Sequence, residues 1–130
     1  MIEINSQRRD QMINITSEIE AYLHHHRCDT GILVLFVRHT TAALTINENA
    51  DPDVVTDLLT TLDKKIPWQD NYRHTEGNSA AHLKTSLFGC SETVLVRHGQ
   101  LQLGTWQSIY LCEFDGPRRR QIDLQWLPTP

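Results

Sequence analysis

The sequence predicts an α+β fold, mainly β: an antiparallel β-sandwich with two or three helices on one side. Three observations point there. Apolar or alternating β-forming runs recur along the chain, about six or seven in all. Long alternating strands are read at both ends of the chain, those at 106–114 and 122–126 closing it. No glycine-rich phosphate loop follows the first apolar strand, so a nucleotide-binding βαβ series is excluded.

The elements follow in order. Thr16 can cap a first helix, and Glu18 and Glu20 suit the positive end of its dipole. Ile19, Tyr22 and Leu23 share one face, and the helix should end near Arg27. Gly31 opens a strand at 32–37 whose unbroken apolar run reads as buried on both faces. The strand emerges at Arg38-His39-Thr40-Thr41. A short strand follows, with Leu44 and Ile46 alternating against Thr45 and Asn47. Asp51-Pro52 is a capping carboxylate followed by proline at the first helical position. Val54, Val55, Leu58, Leu59 and Leu62 form that helix's stripe, and Ile66-Pro67 ends it. Residues 68–73 read as loop. Asn78 or Ser79 can cap a third helix with Ala80, Leu83 and Leu87 inward and Gly89 as its stop. A strand at 93–97, a turn at Gly99-Gln100, a turn at Asp115-Gly116-Pro117 and the two alternating strands complete the chain.

At 130 residues the chain fits one domain, 1–130. With 39% hydrophobic and 22% charged residues it has a globular composition. A net charge of -4 argues against general nucleic-acid affinity. Arg118-Arg119-Arg120 is the local exception, either a solvated turn or an anion site. No apolar run approaches the roughly 20 residues that span a bilayer, and MIEINSQRRDQ lacks the apolar core of a signal peptide. A cytoplasmic location without a membrane partner is expected. Cys28, Cys90 and Cys112 are widely spaced and form no CxxC, which disfavours a disulfide framework or thiolate zinc site. Cys90 and Cys112 read as buried free thiols. There is no GxSxG elbow.

Seven histidines are the chemical signal. His24-His25-His26 cannot converge on one ion if the helix persists, because consecutive residues point about 100° apart. They read as a solvated helix end. His39 and His98 lie at strand ends, and His74 and His82 bracket HTEGNSAAHL at 74–83. Such positions aim a side chain, and three imidazoles leave an open position on a metal. Each is equally readable as a surface polar residue, and H-x7-H is not a recognised zinc spacing. Glu48 or Glu76 could act as a fourth ligand or a base. Thr40, Thr41, Asn78 and Ser79 near a helix start could receive phosphate, or they could serve only strand edge and cap.

SETVLVRHG at 91–99, followed by GTWQSI at 104–109, is a long and specific pattern. With His39-Thr40-Thr41-Ala42, Asn47-Glu48, Asp53, the 74–83 stretch and EFDGPR at 113–118, it resembles the YjbQ family over nearly the whole chain. That family is also described as a secondary type of thiamine-phosphate synthase. The resemblance implies a jelly-roll-like sandwich, a homotrimer and sites in clefts near subunit boundaries. It maps His39, His74 and His82 onto a metal or anion site. Glu48, His82 and Arg118 would be catalytic, and Thr40, Asn78, Ser79 and Arg120 would bind the small phosphorylated or anionic metabolite. The divalent metal would be zinc or magnesium. The implied reaction joins a pyrimidine diphosphate to a thiazole phosphate with release of pyrophosphate. A metal-dependent hydrolase or lyase and a non-catalytic trimeric metabolite-binding module are the alternatives. Apolar strand surface around Trp106 or Trp126 should then be covered by a neighbouring subunit.

Overall fold

The computed structural model describes residues 1–130. Its elements are β1 (Ile2–Asn5), β2 (Gln11–Asn14), α1 (Thr16–His25), β3 (Gly31–Phe36), β4 (Ala42–Glu48) and α2 (Pro52–Lys65). Then come α3 (Ser79–Phe88), β5 (Ser91–Arg97), β6 (Gln100–Leu101), β7 (Gln107–Glu113) and β8 (Arg119–Pro128). Five strands form one sheet in the order β1-β8-β3-β5-β6, and three form the other in the order β2-β7-β4. Every pairing is antiparallel. The expected β-rich sandwich with helices is present. No helix is long and apolar enough to cross a membrane.

The main core lies between the sheets. Leu33 and Leu35 of β3, Val94 and Val96 of β5 and Ile122 of β8 meet Leu44 of β4 and Ile109 and Leu111 of β7. Ile19 and Leu23 of α1 join the same cluster. A second, smaller core lies on the other face of β7, where Tyr110, Cys112 and Phe114 pack with Ala43 of β4 and Ala81 of α3. Val55 and Leu62 of α2 reach its margin. The layers are therefore sheet, sheet and helix, with β7 at the centre of the middle one.

That layering reverses two strand expectations. β3 alternates: Leu33 and Leu35 are buried, while Ile32 and Val34 are half-buried and Phe36 is exposed. Its outer face carries no helix. β7 is the strand buried on both faces, continuously from Ser108 to Glu113. β1 and β2, four residues each, were not signalled by the sequence pattern. The hairpin turn is His98-Gly99, both at positive φ, because Arg97 pairs directly with Gln100.

The helices also differ in detail. Asp51 caps α2 as expected, accepting from the Asp53 N–H at 2.9 Å. Thr16 lies inside α1, and its hydroxyl accepts the Ile109 N–H instead. The buried face of α3 is Ala80, Ala81, Lys84 and Thr85, not Leu83 and Leu87. α3 meets Tyr110 and Phe114 with Ala80 and Ala81 in its first turn and with Phe88 at its end, where the Phe88 and Phe114 rings lie edge to face at 5.3 Å. Between them Lys84 ends on Asp10 at 2.7 Å. Cys112 is buried, and burial pushes its thiol up to about 12. Cys90 is exposed, because it follows Gly89 out of the helix into the turn before β5.

A buried ionic cluster joins the sheets. Arg120 of β8 donates from Nε to Glu113 Oε1 at 2.8 Å and pairs through its terminal nitrogen with Oε2. It also donates to the Thr41 hydroxyl at 2.8 Å. Ser6 donates to Glu113 at 2.7 Å. Burial alone would raise the Glu113 pKa. Hydrogen bonds from Arg120, Ser6 and the Asp115 N–H outweigh it and hold the carboxyl below its ordinary value.

Two predictions follow from this packing. Glu113→Gln leaves Arg120 buried and unpaired, so urea denaturation at neutral pH should show a loss of about 3–5 kcal/mol. Because the folded pKa is depressed, the native pair's contribution is present above the ordinary glutamate range and fades as pH falls through the folded value. Gly31 has no room for a side chain, since a Cβ there would lie 2.2 Å from the Leu127 carbonyl oxygen. Gly31→Ala should cost roughly 1–3 kcal/mol in the same assay.

Candidate functional site

HTEGNSAAHL carries the chain from the loop after α2 into α3. The turn folds His74 back over the first turn of the helix, where His82 projects. The two rings meet edge to face with centroids 5.3 Å apart. They line one cavity of about 410 Å³ with Tyr72, Arg73, Ser79 and Leu83. His39 enters from the β3–β4 connection. It shares a second cavity, about 480 Å³, with Thr40, His82, Thr85, Ser86, Gly89 and Cys90. His82 therefore stands in the wall of both.

The second cavity is held by backbone stitching. The Val37 N–H donates to the Cys90 carbonyl at 2.8 Å, and the Leu44 N–H to Gly89 at 3.1 Å. His39 Nε2 accepts the Gln121 N–H from β8 at 3.1 Å. An imidazole that accepts at Nε2 carries its proton on Nδ1. Burial lowers the His39 pKa first and the nearby Arg120 charge second, so the ring is neutral at physiological pH.

The start of α3 carries no side-chain cap. Asn78 was expected to cap it. Its amide instead donates to Asp115 Oδ2 at 2.9 Å, and its Oδ1 is buried without a partner. Arg118 holds the same Asp115 oxygen at 2.9 Å. No carboxylate lines either histidine cavity.

Other expected residues fall elsewhere. Glu48 ends β4, six residues beyond Ala42, which at about 3.3 Å per residue puts it roughly 20 Å from the His39 end. It cannot be the base of this cleft within one chain. Glu76 is nearer, in a neighbouring cavity with His74, Tyr72 and Trp68. Arg120 is buried, bonded to Glu113 and Thr41 through Nε and one terminal nitrogen, and lines neither histidine cavity. Arg118 is committed to Asp115, on the exposed side of the Asn78 contact.

A resident three-histidine metal centre does not fit these residues. His39 has already used its one lone pair on Gln121, and no three His, Cys, Asp or Glu side chains are grouped to hold an ion. His74 and His82 alone face each other. The structure adds Tyr72, Arg73, Thr85 and Cys90 to the cleft. Tyr72 and Arg73 were within reach of sequence reading as neighbours of His74, and Thr85 as one helical turn beyond His82. The exposure of Cys90 had no signal in the pattern.

His98 and His24 lie apart, across the largest cavity, about 720 Å³, between the end of α1 and the β5–β6 hairpin. Volume does not identify the site here. That trough has charges of both signs around it, whereas the smaller cavities gather imidazoles without an acid. For His39, nitrogen-resolved NMR should show the Nδ1–H tautomer and a titration below the ordinary histidine value. Stability linked to this ring is then present above about pH 6.5 and falls as pH drops through the folded pKa.

The comparisons with known proteins agree with the fold. A family model described as UPF0047 protein YjbQ-like matches residues 1–129. The chain is 52% identical over 127 residues to the UPF0047 protein YugU of Bacillus subtilis, covering 97% of this chain and 96% of YugU. It is 47% identical over 120 residues to a UPF0047 protein of Methanocaldococcus jannaschii, covering 92% and 87%. A crystal structure of a YjbQ/UPF0047 protein from Clostridium acetobutylicum superposes with a TM-score of 0.94 at 45% identity, over 97% of this chain and 98% of that one. Family model, relatives and fold converge: this chain belongs to the YjbQ-like UPF0047 family.

Proposed function

We propose that the cleft binds a small phosphorylated metabolite, with the phosphate at the start of α3. One observation carries the reading: the His74–His82 imidazole pair and Arg73 line one cavity, free of carboxylates, with Ser79 of the uncapped helix start. Uncapped N–H groups and the helix dipole favour an anion there. The Arg73 guanidinium and the ring N–H groups supply further donors. Ser79 contributes a hydroxyl.

The finer reading is a transferase that resembles thiamine-phosphate synthase. What supports it is the family resemblance and the carboxylate-free cavity that gathers Arg73, His74 and His82. A thiazole nitrogen forms the new C–N bond with its lone pair as the C–O bond to the diphosphate breaks, and pyrophosphate departs with that electron pair. His74, His82 and Arg73 stabilise the departing charge. The cleft fixes the line of approach. A divalent ion, zinc or magnesium, would arrive paired with the diphosphate rather than reside on three histidines.

Assembly as a homotrimer belongs to the same proposal. Leu83 is 47% exposed, Leu87 69% and Trp106 62%, which is apolar area suited to burial by neighbouring subunits. Sedimentation should give the mass of three 15.0 kDa chains. A monodisperse monomer would remove this part of the reading.

The binding test uses inorganic phosphate and pyrophosphate in equilibrium dialysis. His74→Ala and His82→Ala should each weaken binding by about tenfold, the loss of one strong hydrogen bond. Unchanged affinity in both variants would place the anion elsewhere. If wild-type protein binds pyrophosphate yet releases none from a pyrimidine diphosphate and a thiazole phosphate, binding stands and transfer falls.

A further inference from the structure

Thr85 is 8% exposed, and its hydroxyl oxygen has no hydrogen-bond partner. A buried, unsatisfied hydroxyl destabilises a fold, and valine would fill the same volume without that cost. The usual remedy for a helical threonine is a bond to the carbonyl four residues back. Ser86, the next residue, does this with the His82 carbonyl at 2.9 Å. Thr85 does not; it lines the cavity that holds His39, and because its oxygen is closed to solvent a ligand there meets it only after rotation about χ1.

Two more groups in that cavity lack protein partners. With Nε2 accepting from Gln121, His39 keeps an N–H at Nδ1. The Thr40 hydroxyl is exposed beside it. The cavity contains no lysine, arginine or carboxylate. It sits against the last turn of α3, the negative end of the helix, which disfavours an anion. No Phe, Tyr or Trp lines it to stack a flat ring. What remains is a wall of groups that match hydroxyls: His39 donates, and the Thr40 and Thr85 hydroxyls can each donate and accept. From Ser79 to Thr85 is six residues, or about 9 Å along the helix. A single small phosphomonoester can span that distance across His82.

We propose that Thr85 is a specificity-determining residue of the cleft. Its hydroxyl binds the uncharged, hydroxylated body of a sugar- or polyol-phosphate whose phosphate sits at the start of α3. This rests on the phosphate-binding reading above and does not need the transfer step.

Cys90 supplies the test. It lines the same cavity and is exposed, whereas Cys28 and Cys112 are buried. Its alkylation by iodoacetamide therefore reports whether the cavity is filled. Ribose 5-phosphate is the probe, and inorganic phosphate is the control. Ribose 5-phosphate should slow Cys90 alkylation in the wild type, and inorganic phosphate should bind without slowing it. Thr85→Val should weaken protection by ribose 5-phosphate about tenfold while phosphate affinity and melting temperature are unchanged or higher. Thr85→Ser should restore protection. If ribose 5-phosphate leaves wild-type alkylation unchanged while inorganic phosphate binds, the inference is overturned and the phosphate site stands. If neither binds, both fail. A lower melting temperature for Thr85→Val, with protection intact, would make the hydroxyl structural and overturn the role given to it.

Discussion

β7 has no solvent face, so each side chain from Ser108 to Glu113 must be met by another element. One set, Ile109 and Leu111, faces the five-stranded sheet. The other, Tyr110 and Cys112, faces α3 with Phe114 beyond the strand end. Because these rings already fill space, the first turn of α3 approaches through Ala80 and Ala81, and Phe88 meets Phe114 only at the helix end. Glu113 ends the strand at full burial, where an unpaired carboxylate would be costly. Arg120 meets it from the opposite sheet. The price of burying β7 is therefore an arginine withdrawn from ligand chemistry.

The cleft inherits its geometry from the same arrangement. α3 is fixed by Ala81 against β7 and by Lys84, whose ammonium reaches Asp10 in the loop between β1 and β2. Asp63 of α2 lies 3.6 Å from the same nitrogen, and Arg9 bonds both acids. Arg9 in turn stacks over Trp68 at 4.5 Å. The helix that carries His82 is thus held from three sides. Imidazoles placed on so well anchored an element need little ordering when a ligand arrives.

Fold class was legible because period-2 runs and cap signals are local. Asp51-Pro52 and Gly31 acted as their chemistry required. Which strand is doubly buried was not local. The apolar run of β3 and the mixed run of β7 exchanged roles, because burial depends on what packs outside, and only β7 has a helix there. The same limit misled the reading of α3, where leucines look inward by composition while Lys84 takes the core position through a distant aspartate. In the cleft, HTEGNSAAHL announced the His74–His82 pair. The loss of Glu48 and Arg120 came from strand length and from a partner 7 residues away in sequence but in the other sheet.

α2 differs from every other long element in having no fully buried residue. Its stripe, Val54 to Leu62, is covered on one side only and reaches just the edge of the smaller core. Little apolar contact opposes its release, so its amides belong at the low end of the local opening free energies, well below those of β7. Deuterium should enter this helix first. The segment that leads from α2 into His74 would loosen with it, so of the two facing imidazoles His74 hangs from the least anchored element and His82 from one of the most anchored.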